Sequence, residues 1–373
     1  MLRLVQPVGE DLQALEARQD PRLLRALYMV APGTSLREGV DNIIYARTGG
    51  LLVLGDPEEI SFMFSGGLKL DVDYSPALLY QLAKMDGAIV LDPEARRINW
   101  ANVQLMPDPT IHSIETGTRH RTAERVSKQT DALVISISQR RDVVSLYAGG
   151  VKYILQEIPT VLSKANQGLA TLEKYRARLD RVSARLTALE FGGGATLQDV
   201  LTVLQRAELV LRTGAEVESY IIELGAEGRL IEMQLEETVI GVTSDRSALV
   251  RDYATDGSER VGELTVEALS GLPHQDLLDF GRLAELIGYD RKVSAQELEV
   301  TPRGYRVLGR IPRLPRLVAE KVVRSFDGLP AILDANEGEL ESVEGVGQAR
   351  AGDIRDGLHR LQEVDSVDRY LPT

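Results

Sequence analysis

The sequence predicts a chain of three parts: an α/β domain over residues 1–158, an all-α spine or linker over 159–300, and short helical hairpins over 301–373. Three observations carry this. Short apolar runs alternate with capped helical patterns through the first part, as the layers of an α/β domain require. From residue 162 the apolar residues Leu162, Ala165, Leu169, Leu172, Tyr175, Leu179, Val182, Leu186 and Leu189 recur at steps of three and four, until Gly192-Gly193-Gly194 stops them. Two apolar hairpin patterns, at residues 311–319 and 343–351, share one spacing.

Taken in order, residues 1–20 are mixed polar and acidic, an N-terminal extension without the pattern of a signal or transit peptide. Ser35 with Glu38 reads as a capping box that opens a helix through about Arg47. Residues 49–55 read as a short buried strand with glycine at both ends. Ser75 is an N-cap with Pro76 at the first helical position, starting a helix toward Lys84. Residues 88–91 and 133–137 are further buried strands, and residues 143–155 a hairpin turning at Gly149-Gly150. Trp100, the only Trp, precedes the strand pattern of 101–105 and reads as a packing residue. Past the spine, short helical patterns fill 197–213 and resume at 264–288. The stretch 220–235 is less regular, with Ala226-Glu227-Gly228 as a turn between short strands or helix ends.

The 373 residues include 43 Lys+Arg, 56 Asp+Glu and no Cys, for a net charge of −13. The absence of Cys excludes disulfides, thiolate metal sites, Fe–S clusters and cysteine nucleophiles, and it fits a reducing cytoplasm. No apolar run approaches the roughly 18 residues of a membrane span, so no membrane partner is expected. The charge as a whole argues against nucleic acid, but it is unevenly placed. Residues 1–150 carry −3, residues 151–300 carry −9 and residues 301–373 carry −1. Within the last part, Arg303, Arg306, Arg310, Arg313, Arg316, Lys321 and Arg324 face only Glu320 in their stretch of sequence. That layout predicts that DNA would be repelled by the acidic middle and admitted at the basic end.

The sharper of the two hairpins is Val343-Glu344-Gly345-Val346-Gly347-Gln348-Ala349-Arg350-Ala351. Two glycines flank one apolar anchor where a helix begins, so a phosphate can approach backbone N–H groups at a helix N-terminus. The pattern resembles the helix-hairpin-helix motif of non-specific DNA-binding proteins, which contacts backbone phosphates. Gly345, Val346, Gly347 and Arg350 are the candidate DNA contacts there. The upstream copy at residues 311–319, with Pro where the glycines should be, adds Arg313 and Arg316. The bland alternative is a surface turn between two core helices.

Two segments of the α/β part call for explanation. One is Lys84-Met85-Asp86-Gly87-Ala88, a carboxylate and a Gly just before a buried strand. The other is Thr116-Gly117-Thr118-Arg119-His120-Arg121-Thr122-Ala123-Glu124, in which cations open a helix although they oppose its dipole. Guanidiniums, an imidazole and hydroxyls at a helix N-terminus suit a triphosphate. A single Asp beside phosphates suits Mg²⁺ or Mn²⁺. Neither a P-loop nor a Gly-x-Gly-x-x-Gly element occurs. The alternatives are a turn before a strand for Asp86-Gly87 and a solvated first helical turn for Arg119-His120-Arg121. His112, His274 and His359 show no metal-like partner at helical spacing.

Asp86-Gly87-Ala88 and Arg119-His120-Arg121 resemble the two signature motifs of the diadenylate cyclase domain. With the C-terminal hairpin, and with Ala101-Asn102-Val103-Gln104-Leu105 and Ser163-Lys164-Ala165-Asn166-Gln167, the chain beyond its first twenty or so residues resembles the bacterial DNA integrity scanning proteins. The resemblance implies an α/β cyclase domain with a twisted central sheet, a helical spine and a C-terminal helix-hairpin-helix domain. It implies that two ATP molecules become cyclic di-AMP with loss of two pyrophosphates, across two cyclase domains that meet face to face in a homo-octamer. It places Asp86 at the metal, Mg²⁺ or Mn²⁺, and at the 3′-hydroxyl, with Gly87 against the nucleotide. Leu105 would be at the adenine, Thr118, Arg119, His120, Arg121 and Thr122 at the phosphates, and Ser138 at a phosphate. Branched DNA such as Holliday junctions would be the regulatory partner, and the location cytoplasmic, with the nucleoid. The competing function is a non-catalytic, nucleotide-sensing DNA-binding or repair protein. A glycosylase or nuclease would need a helical domain beyond the hairpin, for which Asp365 and Asp368 alone do not suffice.

Overall fold

A computed structural model describes residues 20–139 and 143–368, with side chains to residue 363. The N-terminal extension before Asp20 and the side chains of Asp365 and Asp368 therefore lie outside the described residues. Two compact units form. One joins the chain through Gln167 to Glu216–Gln234, and the other joins Gly168–Ala215 to the chain from Leu235 onward.

In the first unit, α1 (Pro21–Met29) and α2 (Ser35–Tyr45) precede β1 (Gly50–Leu54). The cap of α2 is Thr34, which accepts from the Arg37 N–H at 3.2 Å, one residue before the Ser35 expected from sequence. Then follow α3 (Pro57–Ile60), β2 (Phe64–Ser65), β3 (Leu68–Asp73) and α4 (Pro76–Leu82), the last capped by Ser75 as expected. β4 (Ala88–Leu91), β5 (Arg97–Leu105), α5 (Thr118–Gln129), β6 (Leu133–Ile137), β7 (Val144–Ala148) and β8 (Val151–Ile154) complete the layer. Trp100 lies inside β5 rather than before it, edge-on to Phe64 with ring centroids 5.8 Å apart.

The eight strands form one mixed sheet in the order β2-β5-β4-β1-β6-β7-β8, with β3 also on β5. β1 and β4 run parallel, and the other pairings are antiparallel. Strand alternation divides the apolar residues between two faces. Leu52, Leu54, Ile89, Leu91, Ile135 and Ile137 pack with α1, α2 and α4, whereas Leu51, Val53, Val90 and Val134 pack with Ala123 and Val126 of α5. The sheet is thus buried on both sides, with α5 alone among the longer helices on its face.

The spine is α6 (Ile158–Gly192), with the extent its apolar stripe predicts. α7 (Leu197–Leu224) is longer than expected. It passes through Gly214, where a Cβ would come within 3.1 Å of Val239, so the helix interior gives up a side chain to let a neighbour approach. The less regular stretch is a 3₁₀ turn, Gly225–Gly228, between α7 and α8 (Arg229–Val239). α9 (Val242–Tyr253), α10 (Glu259–Ser270), α11 (His274–Leu277) and α12 (Phe280–Leu286) follow. The last third holds α13 (Tyr305–Gly309), α14 (Arg316–Ser325), α15 (Gly328–Asp334), α16 (Glu337–Glu341) and α17 (Gln348–Asp368) around their own core of Val307, Leu308, Val322, Leu329, Leu340 and Ile354.

Candidate functional site

Sheet register gathers the sequence candidates of the first unit at one end of the sheet. Ala88 pairs with Val103, so Gly87 and Leu105 lie at the same edge, while Gly50 pairs with Ile137, just before Ser138. Gly87 has φ +96°, and a Cβ there would meet the backbone of Asn102 and Val103 at 2.8–3.0 Å. The close approach it permits is thus to β5 itself. Asn102 has φ +53° where the β4–β5 register shifts, a bulge that the sequence reading missed. Leu105 is buried in the sheet core and pairs with Phe64, while the Ser138 N–H donates to the Val143 carbonyl at 2.9 Å.

Helix α5 brings the second motif to this edge. Its N-cap, Gly117, makes no side-chain cap, and its first turn has no acid, so the leading N–H groups face cations instead of a carboxylate. Arg119 reaches from this turn to the fully exposed Asp86 carboxylate, with Nη2 3.9 Å from Oδ1. A Cβ on Gly49 would fall 2.8 Å from Arg119 Nη1, which puts that guanidinium beside the start of β1. Thr48 next to it holds a buried Oγ1 with no hydrogen-bond partner among the described residues. Thr118 is exposed and Thr122 half-buried on the same turn.

The other two members of the triplet are held by partners within the protein. Arg121 folds back onto the preceding loop, donating to the carbonyls of Glu115 and Thr116 at 3.3 Å each. His120 Nδ1 lies 3.0 Å from the Tyr147 hydroxyl, which donates to Glu115 Oε1 at 3.0 Å. Glu124 anchors the same loop, accepting from Ser113 Oγ at 2.5 Å, from the Ile114 N–H at 3.2 Å and from Lys128 at 2.6 Å. Burial pushes this carboxyl up, but the Lys128 and Ser113 hydrogen bonds outweigh it and hold it below its usual range. Glu115, Glu124 and Tyr147 were missed from sequence. Only the i,i+4 spacing of Glu124 and Lys128 left a local signal.

In the second unit the two turns follow one backbone path. Val346 N–H donates to the Val343 carbonyl at 3.0 Å and Ala351 N–H to the Gly347 carbonyl at 3.0 Å. In the upstream turn Leu314 donates to Ile311 at 3.3 Å and Ala319 to Pro315 at 3.1 Å. Gly345, at φ +90°, has Arg313 at φ +65° as its counterpart, so one glycine slot is filled by Arg and only the other by Pro. A Cβ at Gly345 or Gly347 would meet nothing within 4 Å, and Arg350 donates to the Gly345 carbonyl at 2.7 Å.

The basic block is only partly internal: Arg306 is buried and Arg303, Arg310 and Lys321 are half-buried, whereas Arg313, Arg316 and Arg324 are exposed. Arg306 is buried against Glu190, with Nε 3.1 Å from Oε1, and reaches Thr187 Oγ1 at 2.9 Å. Arg303 donates to the carbonyls of Arg251, Asp252, Ala254 and Thr255 at 2.7–3.1 Å. Arg310 meets Asp245 at 3.4 Å, Lys321 meets Glu344 at 3.0 Å, and Arg316 meets Glu259 at 2.9 Å and Glu320 at 3.0 Å. Apart from Glu320, the acids that match the block lie outside its stretch of sequence, so local charge counting overstates its net positive charge. His359 also has a helical partner, Glu363 at 3.4 Å, contrary to the sequence reading. Among the described residues no group of three His, Asp or Glu is arranged to hold a metal, and no helix is long and apolar enough to cross a membrane.

Comparison with known proteins identifies the family of the chain. Residues 37–152 match the family described as DisA bacterial checkpoint controller nucleotide-binding, and residues 155–296 match the DisA bacterial checkpoint controller linker region. The chain is 51% identical over 345 residues to the DNA integrity scanning protein DisA of Carboxydothermus hydrogenoformans, covering 92% of this chain and 98% of that one. Proteins of the same name from Clostridium botulinum and Clostridium perfringens are 48% and 49% identical, over 95% and 94% of this chain and 100% and 99% of theirs. The chain therefore belongs to the DisA family, and its α/β unit carries that family's nucleotide-binding domain.

Proposed function

We propose that the protein is a diadenylate cyclase that joins two ATP molecules into cyclic di-AMP and two pyrophosphates. The observation that carries this reading is the meeting of Asp86 and Arg119 at the open end of the sheet, 3.9 Å apart, with Asp86 wholly exposed toward an incoming group. In each half-reaction a 3′-hydroxyl oxygen forms a bond to the partner nucleotide's α-phosphorus. The bond from that phosphorus to the β-bridging oxygen breaks, and pyrophosphate leaves with the electron pair. Asp86 sits at the hydroxyl and draws off its proton. Arg119, with Thr118, Thr122 and the uncapped N–H groups of α5, holds the phosphates and offsets the charge that builds on them. Leu105 and Ser138 flank the nucleotide at the same sheet edge. Because one domain holds one ATP, the reaction needs a second copy face to face, which the homo-octamer expected from the resemblance would provide.

One exposed carboxylate suits a Mg²⁺ or Mn²⁺ ion that takes its other ligands from nucleotide oxygens and water, and Asp86 is the residue that would hold it. Such a cation would supply charge neutralisation to the triphosphate.

The C-terminal hairpins are proposed as a helix-hairpin-helix domain for DNA, working in the cytoplasm at the nucleoid. The open space around Gly345 and Gly347 supports phosphate approach there. In the upstream turn Pro315 has no N–H to offer, which leaves Arg313 and Arg316 as its contribution. Branched DNA, including Holliday junctions, is the proposed regulatory ligand.

The test is incubation with ATP and Mn²⁺ or Mg²⁺, with and without branched DNA, followed by chromatography. Cyclic di-AMP should appear, and Asp86→Asn should abolish it while the assembly stays intact by size. ATP binding without any product would instead favour nucleotide sensing and sink the cyclase reading.

A further inference from the structure

We propose that Glu115 and Tyr147 are positioning residues for His120, forming a hydrogen-bonded chain that fixes which ring nitrogen meets the nucleotide. This rests on the cyclase reading and deepens it. Tyr147 lies in β7 and is fully buried, with 0% exposure. Its hydroxyl is 3.0 Å from Glu115 Oε1 and 3.0 Å from His120 Nδ1. The hydroxyl has one proton, and a carboxylate only accepts. The proton therefore goes to Glu115, and the hydroxyl oxygen accepts from Nδ1–H of the imidazole. That settles the tautomer: Nδ1 carries the proton, and the ring's remaining chemistry runs through Nε2.

A phosphate oxygen also only accepts, so a contact from Nε2 needs a second proton on the ring. On the proposed reading the ring donates from Nε2 as an imidazolium while Nδ1–H stays on the hydroxyl oxygen. Burial, with the Glu115 charge beside it, pushes the Tyr147 hydroxyl far above its usual range, so it stays a neutral relay. The other charges facing the chain come from two elements. Lys152 of β8 is 2.6 Å from Glu115 and 6.0 Å above the Tyr147 ring. Glu124 and Lys128 of α5 are paired at 2.6 Å. Each acid is thus matched by a lysine, and the hydroxyl remains the specific link between the loop carboxylate and the ring.

The experiment uses the full chain, with pyrophosphate release and ATP binding measured from pH 6 to 9. Tyr147→Phe should lower kcat about tenfold with KM for ATP little changed, and should move the alkaline limb of the profile to lower pH. Glu115→Gln keeps an acceptor oxygen for the hydroxyl and should restore most of the rate that Glu115→Ala loses. Since the chain has only four His, nitrogen NMR of labelled histidine reads the tautomer without any turnover. The Nδ1–H form of His120 should be present in the parent protein and depleted in Tyr147→Phe. An unchanged kcat and profile in Tyr147→Phe, an equal loss in Glu115→Gln and Glu115→Ala, or an unaltered tautomer would overturn the proposal. Absence of product from the parent protein would count against the cyclase reading alone, because the NMR result stands apart from it.

Discussion

Replacing Arg306 with Met tests whether the basic block is a structural clasp. The side chains of Arg306 and Glu190 are 1% and 0% exposed. With Arg306 gone, the Glu190 carboxylate still accepts from the neutral Tyr253 hydroxyl at 2.8 Å. Breaking a buried pair from one side costs about 3–5 kcal/mol, because the remaining charge stays buried without its ion partner. At about 1.36 kcal/mol per factor of ten, amide protection in α13 should fall by about two to nearly four orders of magnitude. Hydrogen exchange read by mass spectrometry on peptides covering 304–311 measures this directly, with β1 amides as an internal reference. The double variant Arg306→Met with Glu190→Leu should recover most of the loss, since two apolar groups then fill the volume. Protection within about threefold of the parent in the single variant, or a double variant worse than the single, would refute the reasoning.

Three further outcomes follow from the geometry. Gly87→Ala places an L residue at φ +96° against the β5 backbone, and should lose about 2–4 kcal/mol in urea titrations followed by Trp100 fluorescence; no shift in midpoint would mean that β4 and β5 do not meet as described. Burial, aided by the Glu190 charge and opposed by three backbone N–H bonds, pushes the Asp252 carboxyl up to about 7. The folded unit then holds a proton that the unfolded chain has released, so this contribution is full below about pH 4 and is lost as pH rises to 7. Asp252→Asn should flatten that slope in denaturant titrations at pH 5, 6 and 7, and an unchanged slope would contradict it. Gly345→Val, disfavoured at φ +90° and bulky where phosphate is expected, should weaken DNA binding about tenfold and leave DNA-free synthesis unaltered; undiminished binding would remove that hairpin from the interface.

Local patterns were legible wherever one residue acts on its near neighbours. Ser75 with Pro76, the strand 133–137 and the Gly149-Gly150 hairpin follow from capping, alternation and turn chemistry, and they appear where expected. The pairing of Asp86 with Arg119 was legible only as two separate motifs, since sheet order brings them together. Charge was the poorest guide, because the partners of Arg306 and Arg310 lie more than sixty residues away at Glu190 and Asp245. The helical pattern of α7 breaks off in the sequence just before Gly214, whose propensity penalty of about 1 kcal/mol is overridden by packing against Val239. The Tyr147 relay had no local trace at all: a tyrosine in a buried strand looks the same whether it only packs or also orients a neighbour.

The junction of α9 with α13 has a topological consequence. Asp252, at the end of α9, accepts the N–H groups of Gly304, Tyr305 and Arg306 at 2.6–2.8 Å, while Arg303 returns its guanidinium to the last carbonyls of α9. Each segment thereby finishes the other's helix. Everything from residue 256 to 302 becomes a closed ring, tied at its neck by hydrogen bonds in a protein that has no cysteine with which to tie it. A peptide bond within that ring carries no tension between α9 and α13, so cutting it would leave the two helices joined.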